Sequence, residues 1–238
     1  MKLLISNQHG AIVMALMPFL YGMLLSNPVW QHIFLLLAWA AIYLLTYPLL
    51  SLFKGRNLEL YRKWTLIYSL AALLFVIPAL IYNWEVITFA VAMLPLLAIN
   101  IYHTMQKDER AMGNDLAGIA VFAIAGMCSY YFAERQFDAP IWWVAMYPSL
   151  FFVGTTLYVK SVMRERKNPL YLKASIAFHI FCILILSLCG LYALAFAFVP
   201  PLIRAMYLPT VKLTVKQVGL IEIGVSLIFF AMLLYATL

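Results

Sequence analysis

Lys173-Ala-Ser-Ile-Ala-Phe-His179-Ile-Phe-Cys-Ile-Leu-Ile-Leu-Ser-Leu-Cys189-Gly190-Leu191-Tyr-Ala-Leu-Ala-Phe-Ala-Phe-Val199-Pro200-Pro201-Leu-Ile-Arg204 admits two readings. As one tilted helix it crosses a bilayer once and leaves Arg204, Lys212 and Lys216 on the far side. As a hairpin that breaks at Cys189-Gly190, restarts at Leu191 and ends near Leu208, it returns those cations to the side it left. The choice sets the parity of the fold.

The surrounding chain supplies the test. It is 66% hydrophobic and 11% charged, with a mean hydropathy of +0.95, whereas charged residues make up about a quarter of a water-soluble domain. This is the composition of an integral membrane protein. Apolar runs at 11–27, 31–53, 64–83, 86–102, 115–133 and 140–159 precede the stretch, and a last one at about 217–237 follows it. A helix needs about 20 residues to cross about 30 Å of hydrocarbon, so 238 residues have room for eight or nine spans and little else. We read a single integral membrane domain over 1–238, with the first run retained rather than cleaved. Trp30, Trp64, Trp84, Trp142 and Trp143 near the run ends fit anchoring at the membrane interfaces.

Cations resist translocation, so their distribution reports threading. With the hairpin, Lys2, Lys54, Arg56, Arg62, Lys63, Lys107, Arg110, Lys160, Arg164, Arg166, Lys167, Lys173, Arg204, Lys212 and Lys216 share one face, and only Arg135 stands on the other. That face carries +9 and the opposite one −2, which together give the formal +7 of the chain. A single span would scatter the cations. The expectation is therefore an all-α polytopic bundle of nine transmembrane helices in the cell membrane, N-terminus cytoplasmic and C-terminus outside. Substantial loops at 54–63, 103–114 and 160–173 then face the cytoplasm, and any polar site opens there.

Candidate binding residues follow from cost and spacing. Thr156, Lys160 and Arg164 recur every fourth residue, which on an α-helix aligns a hydroxyl and two cations on one face. Such a stripe suits a phosphate, diphosphate or carboxylate head, and basic residues at a membrane surface also contact anionic lipids. Glu222 lies within the last apolar run, where a charge at the helix centre costs about 2.5–3.5 kcal/mol on insertion scales. Arg204 falls at the same depth, so a structural ion pair is the first expectation for the two. Asn100 and His103 face Asn114 and Asp115 across the second connection on that side, the latter two as caps of the next helix. His179 sits in an apolar stretch, as packing histidines commonly do.

Cys128, Cys182 and Cys189 lie in apolar runs without CxxC spacing, which indicates neither disulfides nor zinc. No Gly-rich phosphate loop, HExxH or paired histidine at ligand spacing occurs. No cofactor, metal or nucleic-acid partner is expected. Pro18, Pro48, Pro78, Pro95, Pro148 and Pro200-Pro201 predict kinks, not breaks, because neighbouring helices can satisfy the freed carbonyls.

Several segments carry a family likeness. Gln8-His9-Gly10-Ala11 with Pro18-Phe-Leu-Tyr-Gly22, Tyr47-Pro48 through Lys54-Gly-Arg56, Glu109-Arg110 with Asn114-Asp115-Leu116, and Gly154-Thr-Thr-Leu-Tyr158-Val-Lys160 through Arg164-Glu-Arg166 to His179 resemble the YwiC-like bacterial membrane proteins. More distantly, nine helices with large cytoplasmic loops after helices 2 and 6 are similar to the UbiA-type intramembrane prenyltransferases. That second resemblance implies two Asp-rich motifs binding magnesium and a prenyl diphosphate. The matching stretches, Tyr47 to Lys54 and Thr155 to Glu165, contain no aspartate, which argues against magnesium-dependent prenyl transfer. What remains implied is a basic, cytoplasm-facing cavity that binds an isoprenoid, quinone or lipid with an anionic head. Lys160, Arg164 and Arg204 would meet the anion, with Asn114 or Asp115 orienting the rest. The alternative is a non-enzymatic permease or assembly partner in which Glu222, Asp115 and His179 handle ions, protons or small anions.

Overall fold

The computed structural model describes residues 4, 5, 9–55 and 57–238, with His9 described by its backbone alone. Lys2, Gln8 and Arg56, used in the sequence argument, lie outside these residues. Among these residues ten α-helices follow one another: α1 His9–Leu25, α2 His32–Leu52, α3 Leu58–Tyr82, α4 Ile87–Met105, α5 Met112–Glu134, α6 Ala139–Val159, α7 Pro169–Leu188, α8 Tyr192–Ala197, α9 Val199–Tyr207 and α10 Val215–Thr237. Short 3-10 turns cover Trp84–Val86 and Leu208–Thr210, and a π turn covers Lys160–Arg164. Among the described residues there is no strand.

Among the described residues seven helical segments are long and apolar enough to cross a membrane: α2, α3, Trp84–Met105, α5, α7, Tyr192–Thr210 and α10. Two of the nine expected spans, α1 at 17 residues and α6 at 21, are not among them. The surfaces support the membrane reading independently. Leu188, Ile81 and Tyr235 are more than four-fifths exposed, and Leu74, Phe196, Leu220 and Leu227 more than half. Water would reject helices apolar on their outer faces, and lipid accepts them.

The hairpin break falls where the charge argument needed it. After α7, Gly190 takes φ 76°, a backbone that costs a residue with a Cβ about 1–2 kcal/mol. The chain reverses, and α8 and α9 pack back against α7. Prolines 18, 48, 78, 95 and 148 lie inside continuous helices, as expected. Pro200 and Pro201 differ: they open α9, where the missing N–H groups have no intrahelical partner to lose.

The chain forms two compact units, 1–145 and 146–238, divided within α6. In the first, α2 pairs with α3, while α5 is flanked by α1 and α4. Over its apolar stretch α5 is 56% buried and α4 only 11%, which makes α5 the central helix. At the α1–α5 contact, a Cβ on Gly126 would stand 2.7 Å from the Pro18 carbonyl oxygen and 2.8 Å from Val144 Cγ1, and one on Gly22 would stand 2.2 Å from the Gly126 oxygen. Only glycine allows backbones this close, the device that replaces hydrophobic driving force inside lipid.

The two ends of this unit differ in charge. At one, Lys54 Nζ meets Glu109 Oε1 at 2.5 Å, joining the α2–α3 and α4–α5 connections. At the other, the Asn27 backbone N–H donates to Glu134 Oε1 (2.7 Å), Tyr131 donates to Glu85 (2.7 Å), Tyr130 donates to Asp138 (2.9 Å) and Arg135 donates to the Tyr82 carbonyl (2.6 Å). His32, which the sequence did not single out, is a tether here. Its Nε2 donates to the Ser129 carbonyl at 3.0 Å and its Nδ1 lies 3.1 Å from the Val29 N–H, so both ring nitrogens are engaged.

Candidate functional site

Within the second unit, the last turn of α9 and the second turn of α10 bring two opposite charges together. Thr214 opens α10 with a reciprocal capping box, its side chain on the Gln217 N–H and the Gln217 side chain on the Thr214 N–H. Glu222 follows seven residues into the helix, about 10 Å along its axis. Pro200 and Pro201 fix the first turn of α9, and Arg204 comes one turn later. Arg204 Nη1 donates to Glu222 Oε2 at 2.5 Å, with the two side chains 2% and 9% exposed. The ion pair expected from the sequence is present.

α6 supplies the walls. Thr155 Oγ1 lies 3.4 Å from Arg204 Nη2, and the guanidinium carbon lies 4.4 Å from the centroid of the Tyr158 ring, a cation–π contact in a dry setting. His179, fully buried on α7, donates from Nδ1 to the Ser175 carbonyl at 2.6 Å. A carbonyl can only accept, so Nδ1 carries the proton and Nε2 of the neutral ring presents a lone pair. That lone pair faces α6 where a Cβ on Gly154 would lie 2.8 Å away, so only glycine fits.

These groups do not exhaust one another. Glu222 Oε1, Arg204 Nε, the Tyr158 hydroxyl and His179 Nε2 are all buried without a hydrogen-bond partner among the described residues. Each unmade hydrogen bond of this kind costs about 1–3 kcal/mol, and several converge on one stretch of α6. They form a buried polar cluster whose hydrogen-bonding capacity is only partly used.

Other residues named from the sequence stand differently. The expected four-residue stripe is interrupted: the Glu165 N–H bonds to the Lys160 carbonyl at 2.7 Å, five residues back, in the π turn. The wider turn breaks the α-helical register, leaving Lys160 3% exposed and Arg164 exposed, with Thr156 half-buried. Thr155 and Tyr158, not Thr156, meet Arg204, and their i, i+3 spacing on α6 was the available signal. In the first unit α5 begins at Met112 with Ala111 as its N-cap, so Asn114 and Asp115 do not cap it. Asn114 instead accepts from Asn100 Nδ2 at 2.8 Å and donates to the Glu109 carbonyl at 2.9 Å, tying α4 to α5. Asp115 lies in the first turn, where the helix dipole favours an anion. A groove of about 330 Å³ in the second unit, between α8 and α10, is lined by Ala193, Phe196, Ala231, Met232 and Tyr235 and by none of the expected site residues.

Among the described residues no group of three or more His, Cys, Asp or Glu side chains is placed to hold a metal. Comparison with known proteins bears on the whole chain. A family model described as YwiC-like protein matches residues 5–130. An uncharacterized protein of Haemophilus influenzae is 66% identical over 238 residues, covering 100% of both chains. The uncharacterized protein YwiC of Bacillus subtilis is 35% identical over 233 residues, covering 98% of both. No solved structure matches. With a relative of that identity aligned along nearly its full length, the chain belongs to the YwiC-like family.

Proposed function

We propose that this protein is a single nine-span domain of the bacterial cytoplasmic membrane that binds an isoprenoid, quinone or lipid with an anionic head group. Its N-terminus is cytoplasmic, its C-terminus outside, and its helices follow a UbiA-like order without the Asp-rich motifs. The segregation of cations supports the orientation, and the contrasting charges at the two ends of the first unit agree with it. Head groups enter from the basic face, past Lys160 and Arg164. The observation that carries the reading is the buried Arg204–Glu222 pair with polar atoms to spare. Ionisable groups at membrane depth are costly and mark functional sites by default.

Native mass spectrometry of the purified protein tests this. The expected result is a retained amphiphile with an anionic head, lost from the Arg204→Leu/Glu222→Leu double variant, in which no charge is left unpaired. The same ligand on the double variant refutes the reading. The second reading, a permease or assembly partner handling protons or small anions, draws on the lone pairs of Glu222 Oε1 and His179 Nε2. Solute flux in proteoliposomes that is lost in Glu222→Gln, with no retained amphiphile, favours it instead.

A further inference from the structure

We infer that an anionic head group binds at the open edge of the Arg204 guanidinium and that each binding event draws one proton onto Glu222. The inference rests on the ligand class proposed above and assigns the site its chemistry. Guanidinium offers carboxylates, phosphates and sulfonates two-pronged edges. Nη1 of Arg204 is taken by Glu222. The edge formed by Nε and Nη2 is nearly free: among the described residues Nε has no partner, and Nη2 has only the long contact to Thr155. An anion admitted to that enclosed edge would leave the Glu222 contact in place.

Its arrival upsets the charge. The pair alone is neutral and buried, with Arg204 4% and Glu222 7% exposed. A second anion leaves two negative charges on one cation in a medium that screens little, which is the uncompensated buried charge that proteins tolerate least. Neutrality returns if a proton from water bonds to Glu222 Oε1, the carboxylate oxygen without a partner, while Oε2 keeps its bond from Arg204. Anion and proton enter together: the O–H bond that breaks is that of a hydronium ion, which is left as water, and no other bond forms or breaks. The titratable groups that act on this centre are Arg204 from α9, Tyr158 from α6 and, through Arg204, His179 from α7. His179 is the less suited acceptor because its lone pair is blocked by the α6 backbone at Gly154.

The test uses the full chain in phosphatidylcholine nanodiscs and a dansylated long-chain alkyl sulfonate, whose head stays anionic throughout. Between about pH 6 and 8 its Kd should weaken with rising pH by up to about tenfold per unit, the slope of one linked proton. Titration calorimetry in two buffers of different ionisation enthalpy should count one proton taken up per probe in the unaltered protein. Glu222→Gln, a neutral mimic of the protonated acid, should bind at the low-pH affinity with no slope. Methanesulfonate, the head without its tail, should bind far more weakly. pH-independent binding, absent proton uptake, or a slope that survives in Glu222→Gln overturns the coupling. No binding of the sulfonate at any pH overturns the ligand class as well, and equal binding of methanesulfonate replaces the amphiphile with a free anion.

Discussion

Removing one partner of the Arg204–Glu222 pair should cost far more than removing both. The two side chains are nearly fully enclosed and 2.5 Å apart, so Glu222→Leu leaves a guanidinium buried with only Tyr158 and a long Thr155 contact. Loss of one member of a buried pair costs about 3–5 kcal/mol, whereas replacing both by apolar residues is often neutral or stabilising. At about 2–4 °C per kcal/mol for a chain of this size, each single variant should melt about 6–20 °C lower. The double variant should melt near the unaltered protein. Thermal unfolding in a mild detergent, followed by circular dichroism and tryptophan fluorescence, completes the cycle. Additive losses, with a coupling below about 0.5 kcal/mol, would refute the claim that these charges depend on each other.

Three further outcomes follow from particular contacts. Gly154→Ala should destabilise by about 1–3 kcal/mol, because its Cβ meets the His179 ring at 2.8 Å, and His179→Ala in the same chain should relieve most of that loss. Gly126→Leu should separate α1 from α5, read as loss of a cysteine crosslink engineered between the two helices, since even a Cβ there collides with the Pro18 carbonyl. Single cysteines at positions 208–214 should react with an impermeant maleimide only in inside-out vesicles, and labelling from outside would mean an even number of crossings.

Much of this fold is written in hydropathy and charge. The break at Cys189-Gly190 was legible because one glycine fell where the cations required a reversal, and the partnership of Arg204 with Glu222 was legible because lone charges at depth are prohibitive. Register was harder. α6 is apolar nearly all round, so hydropathy does not say which of Thr155 and Thr156 turns inward. The π turn depends on a choice between the fourth and fifth preceding carbonyl, a small local difference with no compositional mark. That choice moved Arg164 out to solvent and left Lys160 enclosed. Asn114 was misassigned for a related reason: α5 starts three residues before Asp115, at Met112, and its cap is an alanine that propensity would not select.

The backbone contact between Gly22 and Gly126 has a consequence for the surrounding lipid. The 17 residues of α1 rise about 25 Å, some 5 Å less than the hydrocarbon of an average bilayer. A short helix free to move would shift its depth or partner elsewhere, but this one is held against the central helix through Pro18, near its middle, and Gly22, one turn from its end. In the nine-span arrangement proposed above, the mismatch then falls on the acyl chains beside α1, and membranes of shorter-chain lipid should accommodate the protein with less strain than thicker ones.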